Sequence, residues 1–238
     1  MVKILRMVRK AGALTPEQFK RQWLSSHAPF QRQLLESKPI DRILVSFATG
    51  EMLGGDRTPF DAMVELYFAD MRDLLAIVSS LRSDAAKRSE ANFLDLAAEL
   101  PFLVAEEHAM AHNAAWENAA ASRQPRTKVV RTIRRRKDFT LGQFKDYWLN
   151  QHAKLEKGRT QTTRVKKIVA TFPTARLTGV EDPDPPFDGM VSLYFDDPDS
   201  ARQQFAGGSP SVMRNDEANF VDMTVEPVRS ITEEYVMA

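Results

Sequence analysis

Histidine is the residue type in this sequence that most readily exchanges protons near neutral pH, and the chain has four histidines. Two of them, His27 and His152, end matching segments in which phenylalanine, tryptophan and histidine recur at every fourth position. Residues with this spacing share one side of a helix, so each histidine is expected beside an aromatic surface. A partly buried imidazole there predicts general acid and base catalysis, and a capping or core histidine is the alternative.

A second candidate feature is an arginine in the middle of an otherwise apolar strand, which occurs twice, at Arg6 and Arg131. A buried charge is costly unless it is paired. Glu65 is expected to pair with Arg6, but the equivalent residue Ser192 cannot neutralise Arg131. We therefore predict that Arg131 holds an anionic group of a substrate, such as a carboxylate, by a bidentate contact. Pairing with another acidic residue is the alternative.

Other aromatic and acidic side chains also recur in pairs. The tryptophans either stack on an aromatic ligand or fill the core, and the tyrosines are expected to place hydroxyl groups in a pocket. The aspartates either orient a histidine or order a turn. These candidate substrate contacts are Trp23 and Trp148, Tyr67 and Tyr194, and Asp61 and Asp188.

These pairs arise because the sequence contains an internal repeat. Residues 3–19 match residues 128–144 at an offset of 125, whereas 60–68 and 90–95 match 187–195 and 217–222 at an offset of 127. We predict one unit over residues 1–110, a linker over 111–126 and a second unit over 127–238. His112 falls in the predicted linker and is not a candidate for catalysis.

Each unit is predicted to fold as β-α-β-β-α-β. Thr15 with Gln18, and Thr140 with Gln143, have the spacing of a capping box, which predicts that a helix begins at each threonine. The strand over residues 63–68 carries large apolar groups on both sides, so its second face needs a cover. We predict an α+β fold of two tandem ferredoxin-like repeats packed sheet to sheet within the chain.

Composition excludes several classes of function. Hydrophobic residues make up 43% and charged residues 27% of the chain, and the net charge of +1 gives no general attraction to nucleic acid or anionic membranes. The chain has no cysteine, no apolar run of membrane-spanning length and no signal peptide, so we expect a cytoplasmic protein. No phosphate-binding loop or metal-binding spacing occurs, so no nicotinamide, flavin, nucleotide or metal cofactor is predicted.

Three motifs resemble the EthD family of dimeric α+β barrels. They are Phe-x-x-x-Trp-x-x-x-His-Ala-Pro over residues 19–29, Glu-Ala-Asn-Phe-Leu-Asp over 90–95 and Pro-Phe-Leu-Val-x-Glu-Glu-His over 101–108. The second unit departs from this pattern at Lys154 and at Tyr235, where the pattern has proline and histidine. The resemblance implies a barrel within the chain, with a cleft in each unit between sheet and helices. It also implies that His108 lies near the same cleft as His27.

From these residues and this resemblance we predict a cofactor-independent lyase or isomerase that acts on a small aromatic or cyclic, carboxylated substrate. His27 with His108 would move the proton in the first cleft and His152 with Tyr235 in the second, while Arg6 or Arg131 holds the anion. A cofactor-free monooxygenase of a phenol and a non-catalytic ligand-binding protein of a degradative pathway are the alternatives. A homodimer could form through an exposed strand edge.

Overall fold

The computed structural model describes residues 1–53, 58, 60–81, 88–98, 102–120, 124–176, 186–207, 211–225 and 229–237. Eight strands form one closed antiparallel barrel. The strands are β1 (Val2–Val8), β2 (Arg42–Met52), β3 (Ala62–Phe68), β4 (Leu103–His112), β5 (Arg126–Ile133), β6 (Lys167–Arg176), β7 (Gly189–Phe195) and β8 (Arg229–Val236).

The order of the strands around the barrel is β1, β3, β2, β8, β5, β7, β6, β4. Each half of the chain therefore contributes four adjacent strands, and the two sets join where β2 pairs with β8 and where β4 pairs with β6. The prediction of an α+β barrel is confirmed. Because each of these eight strands has neighbours on both sides, the predicted route to a homodimer through a free strand edge is wrong.

Helices lie against the outside of the barrel. They are α1 (Pro16–Gln22), α2 (Ala28–Ser37), α3 (Met71–Leu81), α4 (Ala114–Ala120), α5 (Leu141–Tyr147), α6 (Ala153–Glu156), α7 (Arg159–Thr162), α8 (Pro198–Ala206) and α9 (Ser211–Glu217). The capping boxes predicted at Thr15 and Thr140 are both present and begin α1 and α5. None of the described helices is long and apolar enough to cross a membrane.

The described part of the segment predicted as a linker, residues 111–120 and 124–126, contains regular secondary structure. Strand β4 continues to His112, α4 follows, and β5 already begins at Arg126. His112 is exposed at the end of β4.

Strand residues alternate between a helix-facing layer and the barrel interior. On β3, Val64 and Leu66 pack in a core with Phe19 and Trp23 from the helical layer. Met63 packs instead with interior residues of both halves. The expectation that the second face of the sheet is covered is therefore confirmed, and the cover is the other half of the same barrel.

A buried ionic cluster inside the barrel was not predicted. Glu65 accepts hydrogen bonds from Lys3 at 2.6 Å and from Lys128 at 2.8 Å, and all three side chains are at most 2% exposed. The two ammonium groups hold the pKa of Glu65 far below its usual range, although burial opposes them. The predicted pair between Glu65 and Arg6 is wrong because the two side chains point to opposite faces of the sheet.

Tyr67 and Tyr194 also lie in this interior layer. Tyr67 donates to Glu107 at 2.6 Å, and Tyr194 donates to Glu234 at 2.9 Å. Burial, together with these and neighbouring carboxylates, raises the pKa of both phenols well above its usual value. The prediction that the two tyrosines line the histidine clefts is wrong, since both hydroxyl groups bind carboxylates of the barrel interior and neither tyrosine lines either cavity.

Candidate active site

Each half of the chain has a cavity between its sheet and its helices. The second-half cavity measures about 790 Å³ and the first-half cavity about 450 Å³, both counted with their open mouths. Concave sites with mostly apolar walls and a few polar groups are typical places for small molecules to bind. The two cavities share seven equivalent wall residues, which are Arg6/Arg131, Trp23/Trp148, His27/His152, Ile43/Ile168, Val64/Val191, Leu66/Leu193 and Glu90/Glu217.

Both histidines reach their cavities from the same local irregularity in the helix. After α1 and α5 the backbone forms one π-helical turn, Trp23–His27 in the first half and Trp148–His152 in the second. Such single turns widen a helix and are frequent at functional sites. Each turn buries its tryptophan and its histidine together, as the four-residue spacing predicted.

In the second half, His152 is held between two acidic side chains. Its Nδ1 lies 2.7 Å from an Asp216 oxygen, and because a carboxylate only accepts, Nδ1 donates and Nε2 is left as the basic nitrogen. Tyr147 donates to Asp216 at 3.0 Å and fixes its orientation. Nε2 faces the cavity 3.8 Å from a carboxyl oxygen of Glu156.

Glu156 is suited to carry a proton. Its side chain is 4% exposed, and burial raises its pKa to about 7, with Glu217 adding to the rise and Arg159 opposing it. Its Oε2 and the Nε1 of Trp148 are both buried without a hydrogen-bond partner among the described residues. Both residues line the cavity, so these two atoms are candidates to bind a polar group of a ligand.

Arg131 has the acidic partner that the sequence did not reveal. It donates to both oxygens of Glu217, at 2.6 and 3.1 Å. The premise that Arg131 is left unpaired is wrong, because Glu217 reaches it from α9, 86 positions along the chain. Arg131 still lines the cavity, but its bidentate contact is already used.

Two other arginines add positive charge to the second cavity. Arg159 and Arg229 both line it. Arg229 donates to the backbone oxygen of Leu53 at 3.4 Å, and its guanidinium lies 5.7 Å from the centroid of the Phe205 ring. Burial, and then the nearby Arg131, lower the pKa of Arg229 to about 10. A bound anion would stabilise the charged form of a guanidinium in this position.

The first-half histidine has a different environment. Nδ1 of His27 lies 2.8 Å from the hydroxyl of Ser89, and burial, followed by the charge of Arg6, lowers the pKa of His27 to about 4. Trp23 donates to Gln31 at 3.1 Å, and Arg6 donates to Glu90 at 2.5 Å. This cavity therefore presents a neutral imidazole and no excess charge at neutral pH.

The two predicted pairs across the clefts, His27 with His108 and His152 with Tyr235, are wrong. His108 packs on Phe172, in the core of the second half, with the ring centroids 5.8 Å apart. Tyr235 packs on Phe47, in the core of the first half, at the same separation. The last strand of each half pairs with one strand of its own half and, where the barrel closes, with one strand of the other half. Neither residue lines either cavity.

The remaining candidates have structural positions. Asp188 accepts from the backbone and the guanidinium of Arg135, and Asp61 accepts from the backbone of Lys10 at 3.1 Å. Both aspartates tie the start of a strand to the end of β5 or β1, away from the two histidines. The tryptophans fill the core and line the cavities at the same time.

The sequence analysis missed four residues of the second site. Each of the four is charged and has a neutral counterpart in the first half. Aligning the two repeats shows this difference in charge. The four residues are Glu156 opposite Gln31, Arg159 opposite Leu34, Asp216 opposite Ser89 and Arg229 opposite Phe102. Among the described residues, no group of three histidine or acidic side chains could hold a metal ion.

Solved structures resemble this fold over nearly their whole length. An anthrone oxidase-like protein matches with a TM-score of 0.59 and 8% identity, over 100% of this chain and 93% of the other. A proposed chlorite dismutase matches with a TM-score of 0.52 and 10% identity, over 97% and 94%. A proposed monooxygenase from Lactobacillus acidophilus NCFM matches with a TM-score of 0.50 and 7% identity, over 100% and 93%. At these identities the likeness shows the fold alone.

No curated protein matches the sequence. The profile of the EthD domain matches twice, over residues 11–97 and 136–224, and the two matches together cover more than half of the chain. Each match contains one helix histidine and one of the acidic residues, Glu90 or Glu217, that pair with the strand arginine. The chain therefore belongs to the EthD domain family and carries two EthD domains.

Proposed function

We propose that the second-half cavity catalyses proton transfer on a small aromatic or cyclic organic acid, as a lyase or an isomerase that needs no bound cofactor. The observation that supports this most strongly is the row Asp216, His152, Glu156, of which His152 and Glu156 line the cavity. It offers a base whose tautomer is fixed, a carboxylate that stabilises the imidazolium, and a carboxylic acid with a pKa near the working pH.

An elimination of water can be written with these groups alone. Arg229 and Arg159 bind the substrate carboxylate, and Nε2 of His152 takes a proton from the activated carbon. The carbon–oxygen bond breaks as Glu156 gives its proton to the leaving hydroxyl, so a carbon–carbon double bond and water form. The proton on His152 then returns to Glu156 across the 3.8 Å gap and restores the starting state. In an isomerase, His152 returns the proton to a different carbon instead.

Oxygenation of a phenol is the second candidate. The names of two structural neighbours, an anthrone oxidase-like protein and a proposed monooxygenase, favour it. His152 would then take the phenolic proton and leave an electron-rich phenolate to react with oxygen. The same cavity serves both reactions, and only the second consumes oxygen.

The experiment is to incubate the purified protein with a panel of aromatic and cyclic carboxylic acids and phenols, following product mass and dissolved oxygen. We expect loss of water or carbon dioxide, or isomerisation, without oxygen uptake. Oxygen uptake would instead support the monooxygenase. Binding without turnover would support a ligand-binding accessory protein.

We also propose that the halves, residues 1–110 and 127–238, are two ferredoxin-like units. In each half the strands lie in the order fourth, first, third, second, and helices cover one face. This order supports the assignment.

A further inference from the structure

The first-half cavity keeps the shape of a ligand site while losing the groups that the proposed reaction needs. It lies in the same place as the second cavity and measures about 450 Å³ together with its open mouth. Apolar side chains form most of its wall, and they are Trp23, Phe30, Leu34, Ile43, Val64, Leu66, Leu81 and Phe102. A wall of this composition suits a small apolar ring.

Its charged groups are neutralised within the protein. Arg6 donates to Glu90 at 2.5 Å, and the Phe102 ring covers the guanidinium with its centroid 4.6 Å away. His27 is uncharged at neutral pH. Where the second cavity has Glu156 and Arg229, this one has Gln31 and Phe102, so an ionic ligand would enter without a partner charge.

Two polar groups still face a ligand. The Gln31 amide accepts from Trp23 through its oxygen, which leaves its N–H groups to donate. Nδ1 of His27 lies 2.8 Å from the Ser89 hydroxyl, and Nε2 lies 3.9 Å from the Glu90 carboxylate that Arg6 binds. The His27 ring lines the cavity beside this ion pair. Such a site suits an uncharged ring that carries one or two hydroxyl or carbonyl groups.

We propose that the first-half cavity is a binding site for an uncharged aromatic or alicyclic molecule and that it performs no chemistry on it. The chain thus combines two ligand sites of different charge selectivity, one for anions and one for neutral rings. This inference rests on the walls and charges of the first cavity and does not require the second cavity to be catalytic.

The test uses phenol and benzoate, which are similar in size but differ in charge at pH 7. Val64 and Val191 lie at equivalent wall positions, so Val64→Phe fills the first cavity and Val191→Phe fills the second. We expect Val64→Phe to weaken phenol binding by about tenfold or more and to leave benzoate binding unchanged, as measured by NMR titration. Val191→Phe is expected to weaken benzoate binding and to retain one phenol site.

Absence of phenol binding to the natural protein would overturn the proposal, as would phenol binding that Val64→Phe leaves unchanged. Phe102→Arg provides a second test that adds no bulk to the packed core, because the second half carries Arg229 there. This variant is expected to lose phenol affinity and to gain a second benzoate site. If it changes neither titration, the charge argument is contradicted. Turnover is not measured in this test, so its outcome is independent of the catalytic proposal.

Discussion

The two cavities have walls of equivalent residues and differ in the charges around the histidine. The first half surrounds His27 with a hydroxyl, an amide and apolar groups. The one carboxylate that we find near its Nε2, at 3.9 Å among the described residues, is Glu90, which is already paired with Arg6. The second half surrounds His152 with two carboxyl groups and two additional arginines. An imidazole becomes a useful base when a carboxylate fixes its tautomer and stabilises its charged form. The comparison therefore supports the proposals of catalysis in the second half and ligand binding in the first.

The halves also respond differently to burial. In the first half burial lowers the pKa of His27 to about 4, so the buried group stays neutral. In the second half burial raises the pKa of Glu156 to about 7, so the buried carboxyl becomes a proton donor near neutral pH. Desolvation disfavours the charged form in both cases, and the residue type decides the chemical consequence.

A large effect is expected at the acid. Glu156→Gln places the first-half residue in the second cavity and removes the proton donor, so we expect kcat to fall by about a hundredfold. The natural protein should lose activity as the pH rises through about 7, because Glu156 then loses its proton. A kcat profile from pH 5.5 to 9 measures both effects. The matched variant Gln31→Glu should leave activity unchanged, and an equal loss there would remove the distinction between the cavities.

The dependence of stability on pH should have opposite signs in the two halves. Glu156 has a raised pKa in the folded state, so its contribution is fully present below about 4.5 and is lost as the pH rises through 7. His27 has a lowered pKa, so its contribution is present above about 6.5 and is lost as the pH falls through 4.

Each of these shifts corresponds to about 3 kcal/mol in the free energy of unfolding. The free energy of unfolding of Glu156→Gln, relative to that of the natural protein, is expected to rise as the pH is raised from 4.5 to 8.5. For His27→Gln the same difference is expected to rise as the pH is lowered from 7 to 4. Urea unfolding at these pH values measures both. If the free energy of unfolding of a variant changes with pH in parallel with that of the natural protein, the shifted pKa of the substituted group is contradicted.

A smaller effect is expected at the positioning residue Asp216. Asp216→Ser introduces the first-half residue and should lower kcat by about tenfold, with little change in KM. Asp216→Asn keeps an acceptor for Nδ1–H but lacks the charge, so its activity should lie between that of the natural protein and that of Asp216→Ser. Nitrogen NMR of His152 should show a mixed tautomer in the serine variant only. A fixed tautomer in all three proteins would mean that Asp216 does not orient the ring.

Much of the fold could be predicted from local patterns. The capping boxes fixed where α1 and α5 begin, and the two-sided apolar strand β3 indicated that the sheet needs a cover. The assignment of His108 and Tyr235 failed because it depends on which half each last strand borders. That choice is made by barrel closure, through pairs such as His108 with Ala170 far along the chain.

The charged site was harder to predict for a related reason. Glu217 and Arg131 are 86 positions apart, and no local pattern connects them. Similarity between the repeats identified the equivalent wall residues, whereas the proposed function depends on the positions where the repeats differ. Asp216 opposite Ser89 is one such position.

The most direct measurement compares His152→Gln with His27→Gln on the same substrate, after both variants are shown to be folded by NMR. We predict that His152→Gln lowers kcat by about a thousandfold, whereas His27→Gln changes it by less than about twofold. Equal losses in the two variants, or a loss confined to His27→Gln, would contradict the assignment of catalysis to the second half.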